Sequence, residues 1–74
     1  MTSPAATPTP VVSSVFVSVT HAPDGTLDLV FHSGARYRYF AVPPRLVDAL
    51  LAAPSKGAFF TRAIRPHFRY LRLA

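Results

Sequence analysis

Apolar residues recur along this chain with two different spacings, and the change from one to the other divides it. From Val11 to Thr20 the pattern alternates, with Val15, Val17 and Val19 on one side and Ser14, Phe16, Ser18 and Thr20 on the other. A period of 2 predicts a strand, here with its valine side inward. Pro23-Asp24-Gly25 predicts a turn, because Pro presets φ and Gly supplies φ > 0. Thr26 to Phe31 reads as a second strand with Leu27, Leu29 and Phe31 inward, and Ala35 to Val42 as a third. Three strands joined by short turns make an antiparallel meander, one face of which something must cover.

The spacing then lengthens. Pro43 and Pro44 are tolerated only in a helix's first turn, and Leu46, Val47, Leu50 and Leu51 follow at helical spacing until Pro54. That is one amphipathic helix of about ten residues, near the usual mean. Ser55 is an N-cap candidate for a second helix, with Phe59, Phe60, Ala63 and Ile64 as its apolar stripe and Pro66 as its stop. His67 to Ala74 alternates as a fourth strand. Its inner face stays open, because Phe68 and Tyr70 oppose Leu71 and Leu73. The expected fold class is α+β, a three-stranded antiparallel meander packed against two short helices with a C-terminal fourth strand. Residues 1–10, with three prolines among Thr, Ser and Ala, show no period and nothing to bury. The chain accordingly divides into a disordered Pro/Thr/Ala-rich tail, residues 1–12, and a single α+β domain, residues 13–74.

The stretch Phe31 to Phe40 organises the rest. In its second strand Tyr37 and Tyr39 share one face while Arg36 and Arg38 share the other. Two hairpin registers compete. A two-residue loop of Ser33 and Gly34 would set Phe31 opposite Arg36 and Leu29 opposite Arg38, putting arginines on the leucine face. A three-residue loop of His32, Ser33 and Gly34, with Gly34 left-handed in a G1 bulge, pairs Leu29 with Tyr37 and Leu27 with Tyr39. It also sets Asp28 across from Arg38, an opposite-charge pair worth roughly 0.2–1 kcal/mol. The second register makes the better core, burying the tyrosine rings at least partly and turning Arg36 and Arg38 outward.

Charge changes the picture. Residues 1–35 hold Asp24 and Asp28 and no Lys or Arg, a charge of −2, while residues 36–74 hold all eight cations against Asp48, a charge of +7. Seven of those cations are arginine, the residue that stacks on bases and grips phosphate with a planar fork. A polyanionic partner is the natural expectation, against a purely solvated cationic rim. The 74 residues support one domain with a thin core. Cysteine is absent, so disulfides and thiolate metal sites are excluded and an intracellular, cytoplasmic setting fits best. No apolar run approaches the roughly 20 residues of a membrane helix, and no secretory pattern opens the chain.

Catalytic chemistry has little to draw on. Asp24, Asp28 and Asp48 are scattered, glutamate is absent, and no nucleophile elbow or phosphate loop accompanies the serines. His21, His32 and His67 have no i, i+3 or i, i+4 spacing that would present two ligands on a helix, so no metal site and no cofactor are expected. The arginines carry the stronger signal. Arg62 and Arg65 fall on one side of the second helix, Arg36 and Arg38 come from the sheet, and Arg69 and Arg72 from the last segment. Exposed Phe40 or Tyr70 beside them could stack bases at about 1–3 kcal/mol each.

The ordered series Phe31-His32-Ser33-Gly34, Tyr37-Arg38-Tyr39, Val42-Pro43, a leucine-rich helix, Ser55-x-Gly57-x-Phe59-Phe60, Ile64-Arg65 and Phe68-x-Tyr70-x-Arg72 resembles the KTSC domain. That small domain is named for its occurrence at the C-terminus of some lysyl-tRNA synthetases and also occurs as a stand-alone bacterial or phage protein. The resemblance covers about residues 13–72 and implies a link to RNA through the synthetase context and the central Tyr-x-Tyr. Two positions depart from the pattern: Thr61 stands where an Asn is common, and Phe59 where Tyr is frequent. The register argument makes Tyr37 and Tyr39 structural, with hydroxyls seeking buried partners. The expectation is a non-enzymatic module binding RNA phosphates with Arg36, Arg38, Arg62, Arg65, Arg69 and Arg72, and stacking bases on Tyr70 or Phe40. The alternative is a protein-interaction module docking the same basic face on an acidic protein surface. An unpaired edge strand allows a monomer or a weak dimer.

Overall fold

The computed structural model describes residues 9–11 and 13–74. Five strands, β1 (Thr9–Pro10), β2 (Phe16–His21), β3 (Leu27–Phe31), β4 (Arg36–Tyr39) and β5 (Tyr70–Arg72), form one antiparallel sheet in sequence order. Between β4 and β5 run α1 (Pro44–Ala52) and α2 (Lys56–Phe59), the latter continuing as a π-helical turn, Phe60–Ile64. The architecture is the expected α+β one: a meander, two helices on one face and a C-terminal strand. Among the described residues no helix is long and apolar enough to cross a membrane. The proposed tail falls mostly on residues 1–8 and 12, outside the described residues. Thr9–Pro10, expected within it, pairs with β2 at Val19 and Ser18. Proline is tolerated there because β1 lies at the sheet's edge.

The central hairpin takes the three-residue loop. Leu27 lies opposite Tyr39, Asp28 opposite Arg38, and Leu29 opposite Tyr37. Gly34 has φ +92, and its N–H donates to the Phe31 carbonyl at 3.0 Å. The turn before β3 works similarly: Gly25 has φ +89, and the Asp24 carboxylate accepts from the Thr26 N–H at 2.9 Å. The Thr26 side chain first, and then this N–H bond, hold the exposed Asp24 carboxyl below the usual carboxylate range. Leu27, Leu29 and Tyr39 meet Val47 and Leu50 of α1, and Phe60 and Ile64 of the π-turn, in the core.

Strand β2 departs from its expected face. Phe16 and Val19 are buried, while Val17 is exposed. The register slips between Phe16, opposite Phe31, and Ser18, opposite Val30, so one extra residue is accommodated. A bulge reverses side-chain parity, so Phe16 joins Val19 on the inner face.

The second helix also differs from a plain α-helix. Ser55 caps it, its hydroxyl accepting from the Ala58 N–H at 3.3 Å, but the Arg65 N–H reaches back five residues to the Phe60 carbonyl at 2.9 Å. Phe60 and Ile64, four residues apart across this turn, are both buried. Gly57 fits because a Cβ there would lie 2.7 Å from Val15 Cγ2. Gly57→Ala should therefore lose stability on urea denaturation, overpacking of about 1–3 kcal/mol outweighing the ~1 kcal/mol alanine gains in a helix. Pairing it with Val15→Ala should recover part of the loss.

Candidate functional site

Six aromatic rings connect the core to the surface. The Phe16 ring contacts Phe31 at 4.8 Å between centroids and Phe60 at 5.4 Å, and Phe60 meets Tyr39 edge-on at 5.3 Å. Tyr39 stacks on Tyr70 at 5.4 Å with 29° between planes, and Tyr37 reaches Tyr70 at 5.7 Å. The hairpin register puts Tyr37 and Tyr39 on the helix side, and the pairing of Tyr39 with Tyr70 brings the third tyrosine to the same side. Burial falls along this series, from Tyr39 at 3% exposed, through half-buried Tyr37, to Tyr70 at 58%.

Between these rings lies an open cleft of about 290 Å³. Tyr37, Tyr39, Tyr70, Phe31 and Phe60 form its walls, and Ser33, Ala35 and Arg65 complete its lining. Every tyrosine in the chain is there. Burial pushes the Tyr39 phenol up from its ordinary pKa, partly offset by the nearby Arg65 guanidinium. The expectation that the tyrosine hydroxyls find buried partners is not met. Among the described residues no buried side-chain nitrogen or oxygen lacks a partner, and no phenol hydrogen-bonds to the protein, so each of these hydroxyls keeps some exposure.

The arginines divide between two sides. Arg65 lines both the cleft and an adjoining groove, about 590 Å³, that it shares with Arg62. The Arg62 guanidinium stands 5.6 Å from the Phe59 ring centroid. Arg72 lies opposite Tyr37 in the sheet, its guanidinium 5.7 Å from that ring. Arg69 begins the approach to β5 and borders a hollow with exposed Phe40, Tyr70 and Leu71. Arg36 and Arg38 point the other way, opposite Val30 and Asp28 and beside Leu71 and Leu73 on the uncovered face. The six arginines therefore do not converge, because a strand separates neighbouring side chains onto opposite faces. Arg38 is also occupied: its Nε and one terminal nitrogen donate to the two Asp28 oxygens at 2.8 and 2.9 Å, which raises its pKa.

Thr61, in the groove, donates its hydroxyl to the Gly57 carbonyl at 2.9 Å, so it serves its own helix. His32 is a loop residue whose Nε2 lies 2.9 Å from the Ser13 carbonyl oxygen. No group of three potential metal ligands occurs among the described residues. The sequence reading named Tyr70 and Arg65 but missed Phe31, Ser33, Ala35 and Phe60 as cleft-forming residues. The signals that could have found them are the Phe31-to-Tyr39 hairpin register, for Phe31, Ser33 and Ala35, and the apolar stripe of the second helix, for Phe60.

The sequence profile of the KTSC domain matches residues 12–68. A protein of Tsukamurella paurometabola is 42% identical over 65 residues, 86% of this chain and 97% of that one. A lysine-tRNA ligase of Nostoc punctiforme is 43% identical over 49 residues, 66% of this chain but 9% of the ligase. The crystal structure of a KTSC domain protein from Yersinia pestis superposes with a TM-score of 0.88 at 31% identity, covering 95% of this chain and all of that one.

Proposed function

This chain belongs to the KTSC domain family, and from that premise we propose that it is a non-enzymatic module that binds RNA at the tyrosine cleft. One observation carries the reading: the exposed Tyr70 ring is stacked on Tyr39 beside the Arg65 and Arg69 guanidinium groups, neither of which has an acidic partner among the described residues. Arg38 to Asp28 is the one salt bridge among the described residues, and it lies on the other face. Aromatic platforms flanked by cations are the recurring solution for single strands of nucleic acid. A related segment within an enzyme named for joining lysine to tRNA adds support. Relative to the sequence expectation, the binding set contracts to Tyr70 with Arg62, Arg65, Arg69 and Arg72, leaving Arg36, Arg38 and Phe40 outside it.

The test is fluorescence anisotropy of a labelled single-stranded RNA across a salt series. Three or four phosphates held by those arginines predict a slope of log affinity against log salt of about −2 to −3. Binding that is absent at low salt, or indifferent to salt, contradicts the reading.

A second reading has its own observation. The uncovered face presents Arg36 with exposed Leu71 and Leu73, and β5 has no outer neighbour among the described residues. Docking of that face on an acidic protein surface predicts no response to short oligonucleotides and a response only to the protein partner.

A further inference from the structure

We infer that the tyrosine cleft takes one unpaired nucleotide, its base laid against Tyr70 and its phosphate at Arg65, so the module selects single-stranded RNA over duplex. This rests on the RNA-binding reading above and goes further by naming the ligand's state. Size is the first argument. About 290 Å³ is at the lower limit of small-molecule sites, roughly 300 Å³, which suits one base with its sugar and leaves no room for a base pair.

Chemistry is the second argument. The lining is mostly aromatic, and the residues in it with polar side chains are few: Ser33, Tyr37, Tyr39, Tyr70 and Arg65. None of the phenols is spent on a protein partner. Hydroxyls that both donate and accept fit the edge of a nucleobase, and a planar guanidinium without a carboxylate fits a phosphate. Carboxylates, which would repel that phosphate, do not line the cleft.

Access is the third. A base inside a duplex has both faces covered by its neighbours, and extruding it costs a few kcal/mol of stacking and pairing. The Tyr70 ring lines the cleft and leans on Tyr39, so a base laid on it there must present a free face. An unpaired base reaches it at no such cost.

Anisotropy titration of the full chain with a single-stranded RNA pentamer and with a blunt duplex of the same sequence, at matched ionic strength, tests the inference. The single strand should bind about tenfold or more tightly than the duplex. Tyr70→Ala should weaken the single strand about 5- to 150-fold, the value of stacking one base, and leave the weak duplex binding unchanged. Tyr70→Phe, which keeps the ring, should retain most of the affinity and guard against a folding artefact. Equal affinity for duplex and single strand, or a Tyr70→Ala variant that binds the pentamer normally, overturns the cleft assignment while RNA binding itself stands. Failure of every RNA to bind at low salt removes the underlying reading as well.

Discussion

Transposing the two residue pairs of β4, by Arg36→Tyr, Tyr37→Arg, Arg38→Tyr and Tyr39→Arg together, should leave the chain unfolded at 25 °C. The composition and net charge do not change, so only the facing of the strand is altered. In the native register Tyr39 is buried opposite Leu27, and Arg38 pairs with Asp28 in the open. After transposition two guanidinium groups would lie against the leucines and α1. The effective penalty is several kcal/mol per buried ion, and the Asp28 ion pair goes with it. A chain of 74 residues has only about 4–11 kcal/mol of stability to lose. Far-ultraviolet circular dichroism decides it, and a cooperative transition near the native midpoint would mean that the hairpin can turn either face inward.

Phe60→Ala should cost about 3–5 kcal/mol, the range for removing a buried phenylalanine. Phe60 is 6% exposed, and its ring touches Phe16, Phe31 and Tyr39 at 5.4, 6.0 and 5.3 Å. It joins the sheet to the π-turn, so the cavity left behind would lie under Tyr39 and weaken the support of the cleft. For a domain of this size the loss corresponds to a fall in melting temperature of roughly 12–40 °C. A shift below about 3 °C on calorimetry would show that the aromatic cluster is not the keystone of the core.

Much of this arrangement is written in local chemistry. Gly34, the only residue of its loop at ease with φ +92, together with the alternation of leucines against tyrosines, determines the hairpin and so the inward face of β4. The prolines and leucines determine α1, and Ser55 begins α2. Other features depend on contacts distant in sequence. The bulge in β2 has no composition of its own, and it exists because Phe16 and Val19 must both reach a core built by β3 and the helices. The π-turn has the same four-residue interval between Phe60 and Ile64 that an α-helix would show. Both faces of β5 are apolar enough to be buried, and the choice falls to Tyr39, which draws Tyr70 toward the helices and leaves Leu71 and Leu73 outside. Whether six arginines converge could be decided only once those faces were known.

The face on which RNA binds is tested most directly by reversing one charge on each side. Arg65→Glu and Arg36→Glu lower the net charge equally, so a generic attraction for polyanions would be weakened alike. With the tyrosine cleft as the site, Arg65→Glu should reduce affinity for single-stranded RNA about tenfold or more and make the salt slope shallower by about 1, while Arg36→Glu stays within about twofold of the parent. Equal losses, or the larger loss at Arg36, would contradict the account.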